Sequence, residues 1–227
     1  MRSQGWRGFR SCSNNANSDR ILRCPPTFSS VGSSGRGLKK QGNAMSRLPD
    51  LDPEKFSPEQ KKVHAAVLAG PRGRVVGPIK VWLKNAGLAE HAQALGAYCR
   101  FNSSLPSRLS ELAIIMTGSF WKANYEWFAH APFAIKAGID PAAVEAIRVG
   151  GTAKFTKADE QIVYDFTHEL LTTRRVSPAT FERAKTELGE TSVIDLVGII
   201  GYYGLVSVTL NAFELPLPEG EKAPFDI

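Results

Sequence analysis

Glu126 and His130 lie four residues apart in the stretch ANYEWFAH, residues 123–130, beside Tyr125, Trp127 and Phe128. At that spacing on a helix a carboxylate and an imidazole share one face. Imidazole changes charge near neutral pH, so the pair could carry a proton to or from a bound molecule. A second acid stands out in RLSELAIIMTG, residues 108–118, where Glu111 sits among Leu109, Leu112, Ile114 and Ile115. A carboxylate in such surroundings is strongly disfavoured unless it is paired. Arg108, His130 or a substrate must therefore meet it.

The other candidates each carry two readings. Arg108 either neutralises Glu111 or holds a substrate carboxylate. Glu126 either joins the site or pairs with Lys122, one turn back. Tyr125 and Trp127 belong to the core or line a pocket. Asn211 is polar in an apolar segment, so it needs a partner, within the fold or in a pocket. His64, His91 and His168 fall on the surfaces of predicted helices.

The elements that must position these groups read as helices throughout. Ser57-Pro58-Glu59-Gln60 carries an N-cap, a first-turn proline and a capping-box glutamine, and the helix it opens should run to about Gly70. GPRGRVVGP, residues 70–78, is a loop. Residues 79–100 give one helix or two short ones broken near Asn85–Gly87. A helix follows from about Pro106, then the aromatic segment ending at Gly138. Asp140-Pro141, Thr156-x-x-Asp159, Ser177-Pro178 and Thr191 open the rest, the last helix reaching about Phe213. No period-2 strand of useful length appears. The fold class is all-α, a single-domain bundle of about eight helices.

On a helical wheel, Ala123, Glu126, Trp127, His130 and Ala134 share a face. Trp121, Tyr125, Phe128, Pro132 and Ile135 form an opposite apolar face. Such a helix should be central, with His130 buried and a kink at Pro132 opening space beside the ring. The final helix has eighteen uncharged residues between Asp195 and Glu214, borderline for a membrane span. Gly198, Gly201 and Gly204 leave a stripe where a second helix can approach closely. This reads as a core or subunit-interface helix, with no membrane as partner.

The net charge of +6 belongs to the first 45 residues, which hold eight basic side chains and one acidic, Asp19. The remaining 182 residues carry 20 basic and 21 acidic side chains, giving no basic excess for nucleic acid. Residues 1–45 read as a basic leader: a disordered tail, a transit-like peptide, or a start assigned ahead of Met45. Residues 46–215 form the helical domain and 216–227 an extended tail. Cys12, Cys24 and Cys99 have no metal-binding or C-x-x-C spacing, which fits a reducing compartment. Localisation is expected to be cytoplasmic, or mitochondrial if the leader is a transit peptide.

RLSELAII…YEWFAHAPFAIKAGI resembles the carboxymuconolactone decarboxylase family, part of the alkylhydroperoxidase-D-like superfamily. The likeness extends from about GPRGRVVGPIKVWL to GYYGLVSVTLNAFELPLP. The peroxidase branch carries a Glu, a Cys twelve residues on, a second Cys three later and a His four after that. These positions fall on Glu111, Ala123, Glu126 and His130, so the Glu and His match and both cysteines are absent. Peroxide reduction by that route needs two thiols.

The resemblance therefore implies the cysteine-free branch: a helical fold assembling into trimers or hexamers, and a lyase acting on a small carboxylated lactone or related acid. His130 and Glu111 would be the acid–base groups, with no cofactor or metal. Arg108, Glu126, Tyr125, Trp127 and Asn211 are the candidate substrate contacts. The alternatives are a peroxidase-like antioxidant protein lacking its own C-x-x-C and a non-catalytic oligomeric protein.

Overall fold

In the computed structural model, residues 46–227 are described; the basic leader lies outside the described residues. Among the described residues there are nine α-helices and no strand. They are α1 Pro58–Ala69, α2 Pro78–Trp82, α3 Ala86–Ala97, α4 Ser107–Phe120, α5 Asn124–Lys136, α6 Pro141–Arg148, α7 Ala158–Thr173, α8 Pro178–Leu188 and α9 Glu190–Ala212. A five-residue π-helical segment, Tyr98–Asn102, continues α3.

Local chemistry sets most boundaries. Ser57 and Gln60 close the capping box at α1, with Gln60 N–H donating to Ser57 Oγ (3.2 Å) and Ser57 N–H to Gln60 Oε1 (2.9 Å). Asp140 and Ser177 cap α6 and α8 as the sequence indicates. Two starts differ. Lys157 rather than Thr156 precedes α7, and α9 begins at Glu190 directly after Gly189, so Thr191 lies inside the helix. Gly189 has φ of 83°, which reverses the chain sharply enough for α9 to begin without a side-chain cap.

The centre of the molecule is α4. Ten consecutive residues, Leu109–Gly118, are buried, so it contacts other helices on every face. It packs against α5, α7 and α9. Fully burying Leu112, Ile114 and Ile115 contributes about 1.5–3 kcal/mol each. The turn from α4 to α5 places Lys122 at φ 48°, and Ala123 N–H donates back to Gly118 C=O (2.9 Å). Gly118 lets the helices close here: a Cβ on it would lie 3.3 Å from Glu126 Cγ.

The wheel reading of α5 holds on one face only. Ala123, Glu126, Trp127, His130 and Ala134 are all buried. The opposite face is not: Trp121 and Ile135 are exposed, and Tyr125 and Phe128 only half-buried. Pro132 lies within the single helix Asn124–Lys136, which continues past it to Lys136. The C-terminal segment is pinned: Phe225 is buried edge-on to Trp127 (5.4 Å between centroids), and its N–H donates to Asn124 Oδ1 (2.8 Å).

Candidate functional site

The first half of α4 and the middle of α5 bring Glu111, Glu126 and His130 together. His130 Nδ1 lies 2.7 Å from Glu111 Oε2. Its Nε2 lies 3.2 Å from Glu126 Oε1. The three residues are 5%, 7% and 3% exposed for His130, Glu111 and Glu126 respectively, so bulk water screens none of them. The Glu126 contact has ion-pair distance without hydrogen-bond alignment, leaving Oε1 buried and without a hydrogen-bond partner. Such an orphan acceptor is uncommon in a folded interior and marks a place where a proton or a ligand atom would be welcome.

Burial pushes the Glu126 carboxyl above its ordinary range, against the pull of His130, and the Glu111 charge pushes it further. Glu111 has polar company on both oxygens: Arg100 Nε lies 3.9 Å from its Oε1 and His130 Nδ1 lies 2.7 Å from its Oε2. Tyr203 from α9 meets the imidazole edge-on at 5.2 Å, its phenol held well above the usual range by burial. Phe133 lies 6.2 Å from the imidazole.

The remaining candidates go elsewhere. Arg108 turns away from Glu111 and ties α4 to α7, through Asp159 Oδ2 at 2.7 Å and Glu160. Lys122 lies in the turn before α5 and makes no ion pair with Glu126 among the described residues. Tyr125 packs on the loop before α2, where a Cβ on Gly77 would sit 3.1 Å from its ring. Trp127 is core, against Phe225. Asn211 is exposed and donates to the Trp121 carbonyl (2.7 Å), closing the α4–α5 turn. His91 and His168 are exposed and His64 half-buried.

Sequence reasoning missed Arg100 and Tyr203. Arg100 belongs to the π-helical segment, whose i→i+5 winding has no local signature. Tyr203 sits in a uniformly apolar helix where its direction depends on packing. Hollows of about 160 and 280 Å³ open near the C-terminal end of α4 and beside the C-terminal tail; neither is lined by Glu111, Glu126 or His130. No group of His, Cys, Asp and Glu among the described residues is arranged to hold a metal ion.

No protein-family model matches the chain, and no curated protein matches it in sequence. Solved structures do match in shape. An uncharacterized peroxidase-related protein from Silicibacter sp. TM1040 is 20% identical with a TM-score of 0.60, over 82% of this chain and 97% of that one. The debrominase Bmp8 is 18% identical with a TM-score of 0.59, over 77% of this chain and 92% of its own. A cysteine-to-alanine variant of Bmp8 in complex with 2,3,4-tribromopyrrole matches at 18% and 0.59, over 75% and 90%. The fold is therefore the alkylhydroperoxidase-D-like helical fold.

Proposed function

We propose that this chain is a cofactor-free acid–base enzyme of the alkylhydroperoxidase-D-like superfamily, in its carboxymuconolactone decarboxylase branch. Its substrate would be a small carboxylated lactone or related unsaturated acid. The observation that carries this reading is the buried His130 ring, set between Glu111 at 2.7 Å and Glu126 at 3.2 Å.

Roles follow from the two ring nitrogens. Glu111 accepts from Nδ1–H, which fixes the tautomer and leaves Nε2 as the working nitrogen. Glu126 supplies the proton that burial favours on its carboxyl. In decarboxylation the bond to the departing carboxylate breaks, carbon dioxide leaves, and the electron pair stays on the conjugated carbon framework. That carbon then takes the proton from the His130–Glu126 pair, and solvent replaces it. Positioned proton transfer of this kind contributes about 10²–10⁴-fold to rate. The test is carbon dioxide release from carboxymuconolactone by His130→Gln, expected to fall at least about 100-fold; unchanged turnover removes the assignment.

The peroxidase-related neighbour motivates a second reading. A thiol route would need sulfur from a partner. Ala123 and Glu126 occupy the positions of the resembling family's cysteines, and burial pushes the Cys99 thiol up, away from the reactive thiolate. Hydroperoxide consumption with a thioredoxin-type reductant would support it over the lyase reading. Within the same proposal the protein assembles as a trimer or hexamer through the outward face of α9.

A further inference from the structure

Four arginines among the described residues are hydrogen-bonded to acids. Arg108 bonds Asp159 and Glu160, Arg148 bonds Glu145 through two nitrogens, Arg183 bonds Asp165 and Arg47 bonds Glu214. Two half-buried guanidinium groups differ. Arg100 makes no hydrogen bond to a carboxylate; its nearest acid oxygen is Glu111 Oε1 at 3.9 Å. Arg72 reaches only the Tyr202 hydroxyl, at 3.4 Å, and its Nε is buried without a partner.

Both groups converge on one ring. The Arg100 guanidinium carbon lies 5.3 Å from the centre of Phe101 and 5.0 Å from that of Phe133, and the Arg72 carbon lies 6.0 Å from Phe101. Phe101 and Phe133 are 44% and 41% exposed, so this cluster reaches solvent while its inner side reaches Glu111 and His130. The backbone accommodates it at Gly96, where a Cβ would fall 2.4 Å from Arg72 Nη2 and 2.0 Å from the Tyr202 hydroxyl. Any side chain there would displace Arg72 or Tyr202.

We propose that Arg72 and Arg100, with the flat faces of Phe101 and Phe133, form the docking mouth for the carboxylate of a small planar acid on its way to His130. The inference rests on the reading of the His130 cluster as a substrate site. Two guanidinium groups without a hydrogen-bonded acid, beside exposed aromatic rings, match a planar carboxylate in shape and charge. The role assigned earlier to Arg108 passes to these two residues, because Arg108 already has its acids in the fold.

The test is calorimetric titration with furan-2-carboxylate and its neutral amide as probes. The wild-type protein should bind the acid and not the amide. Arg100→Met and Arg72→Met should each weaken acid binding by about 10- to 100-fold, with Arg100→Lys intermediate because it keeps charge and loses the fork. Circular dichroism and thermal melts establish that each variant folds. A wild-type protein that fails to take up the acid at millimolar concentration, or folded methionine variants that bind it equally well, would overturn the inference. His130→Gln separates the two proposals: it should still bind the acid while losing turnover. If it keeps turnover while the arginine variants lose binding, the docking mouth stands and the His130 chemistry falls.

Discussion

Under the proposed function, the two carboxylates around His130 have different tasks. Glu111 anchors Nδ1, so Glu111→Gln should misorient the ring and cut turnover by about 10²-fold while leaving the fold intact; a variant that loses only stability would make Glu111 structural. Glu126 has a folded-state pKa raised mainly by burial. The stability linked to its proton is therefore complete below the ordinary carboxylate range and is lost as pH rises through the folded value. Glu126→Gln removes that loss, so its stability should decline less than the wild type's from acidic to alkaline pH in denaturant titrations. The Glu111–His130 pairing was legible because two polar groups on apolar faces of consecutive helices have few other partners. The direction of Arg108 was not, because a long side chain on the face of Glu111 reaches whichever acid the packing of α7 supplies.

At the level of elements, the site depends on a clamp distant in sequence. Asp195 of α9 accepts from the Tyr98 hydroxyl (2.8 Å) and the Ser104 N–H (2.7 Å), so it holds both sides of the π-helical segment that carries Arg100. Burial acts to raise its pKa, but these hydrogen bonds outweigh burial and keep it below the ordinary value. Its contribution is present above the ordinary carboxylate range and fades as pH falls through the folded value, the opposite sense to Glu126. Asp195→Ala should cost about 2–4 kcal/mol in chemical denaturation, and Asp195→Asn, which keeps the shape, should cost less. Both should weaken furan-2-carboxylate binding by loosening Arg100. Unaltered binding in the folded variants would show that the segment keeps its winding without the clamp. Caps such as Ser57, Asp140 and Ser177 were readable because their chemistry is local. The π-helical winding was not, because the acid that stabilises it lies 97 residues from Tyr98.

At the scale of the whole molecule, α9 faces two ways. Leu196, Ile199, Tyr203, Val206 and Leu210 are buried against the bundle. Ile194, Val197, Leu205 and Val208 form an apolar stripe on the other side, with exposures of 65%, 46%, 38% and 40%. Gly198 and Gly201 lie along that stripe, and a Cβ on either would meet nothing within 4 Å. The glycine spacing was visible in sequence; that the glycines face outward rather than toward another helix of the chain depends on how α9 rotates onto α4. The helix is also long and apolar enough to cross a membrane, and 61% of its most apolar window is buried inside the protein. A second copy of the chain is the occupant that suits the outer stripe under the proposed assembly, since Gly198 and Gly201 would let another helix approach closely. Light scattering on the full chain should then give a mass of three or six subunits. Val197→Glu combined with Val208→Glu should shift it to monomer with the helical signal retained, because two carboxylates buried without partners oppose association. A wild-type monomer at tens of micromolar, or an assembly that survives both charges, would place the interface elsewhere, with the exposed Trp121 and Ile135 beside α5 the next surface to test.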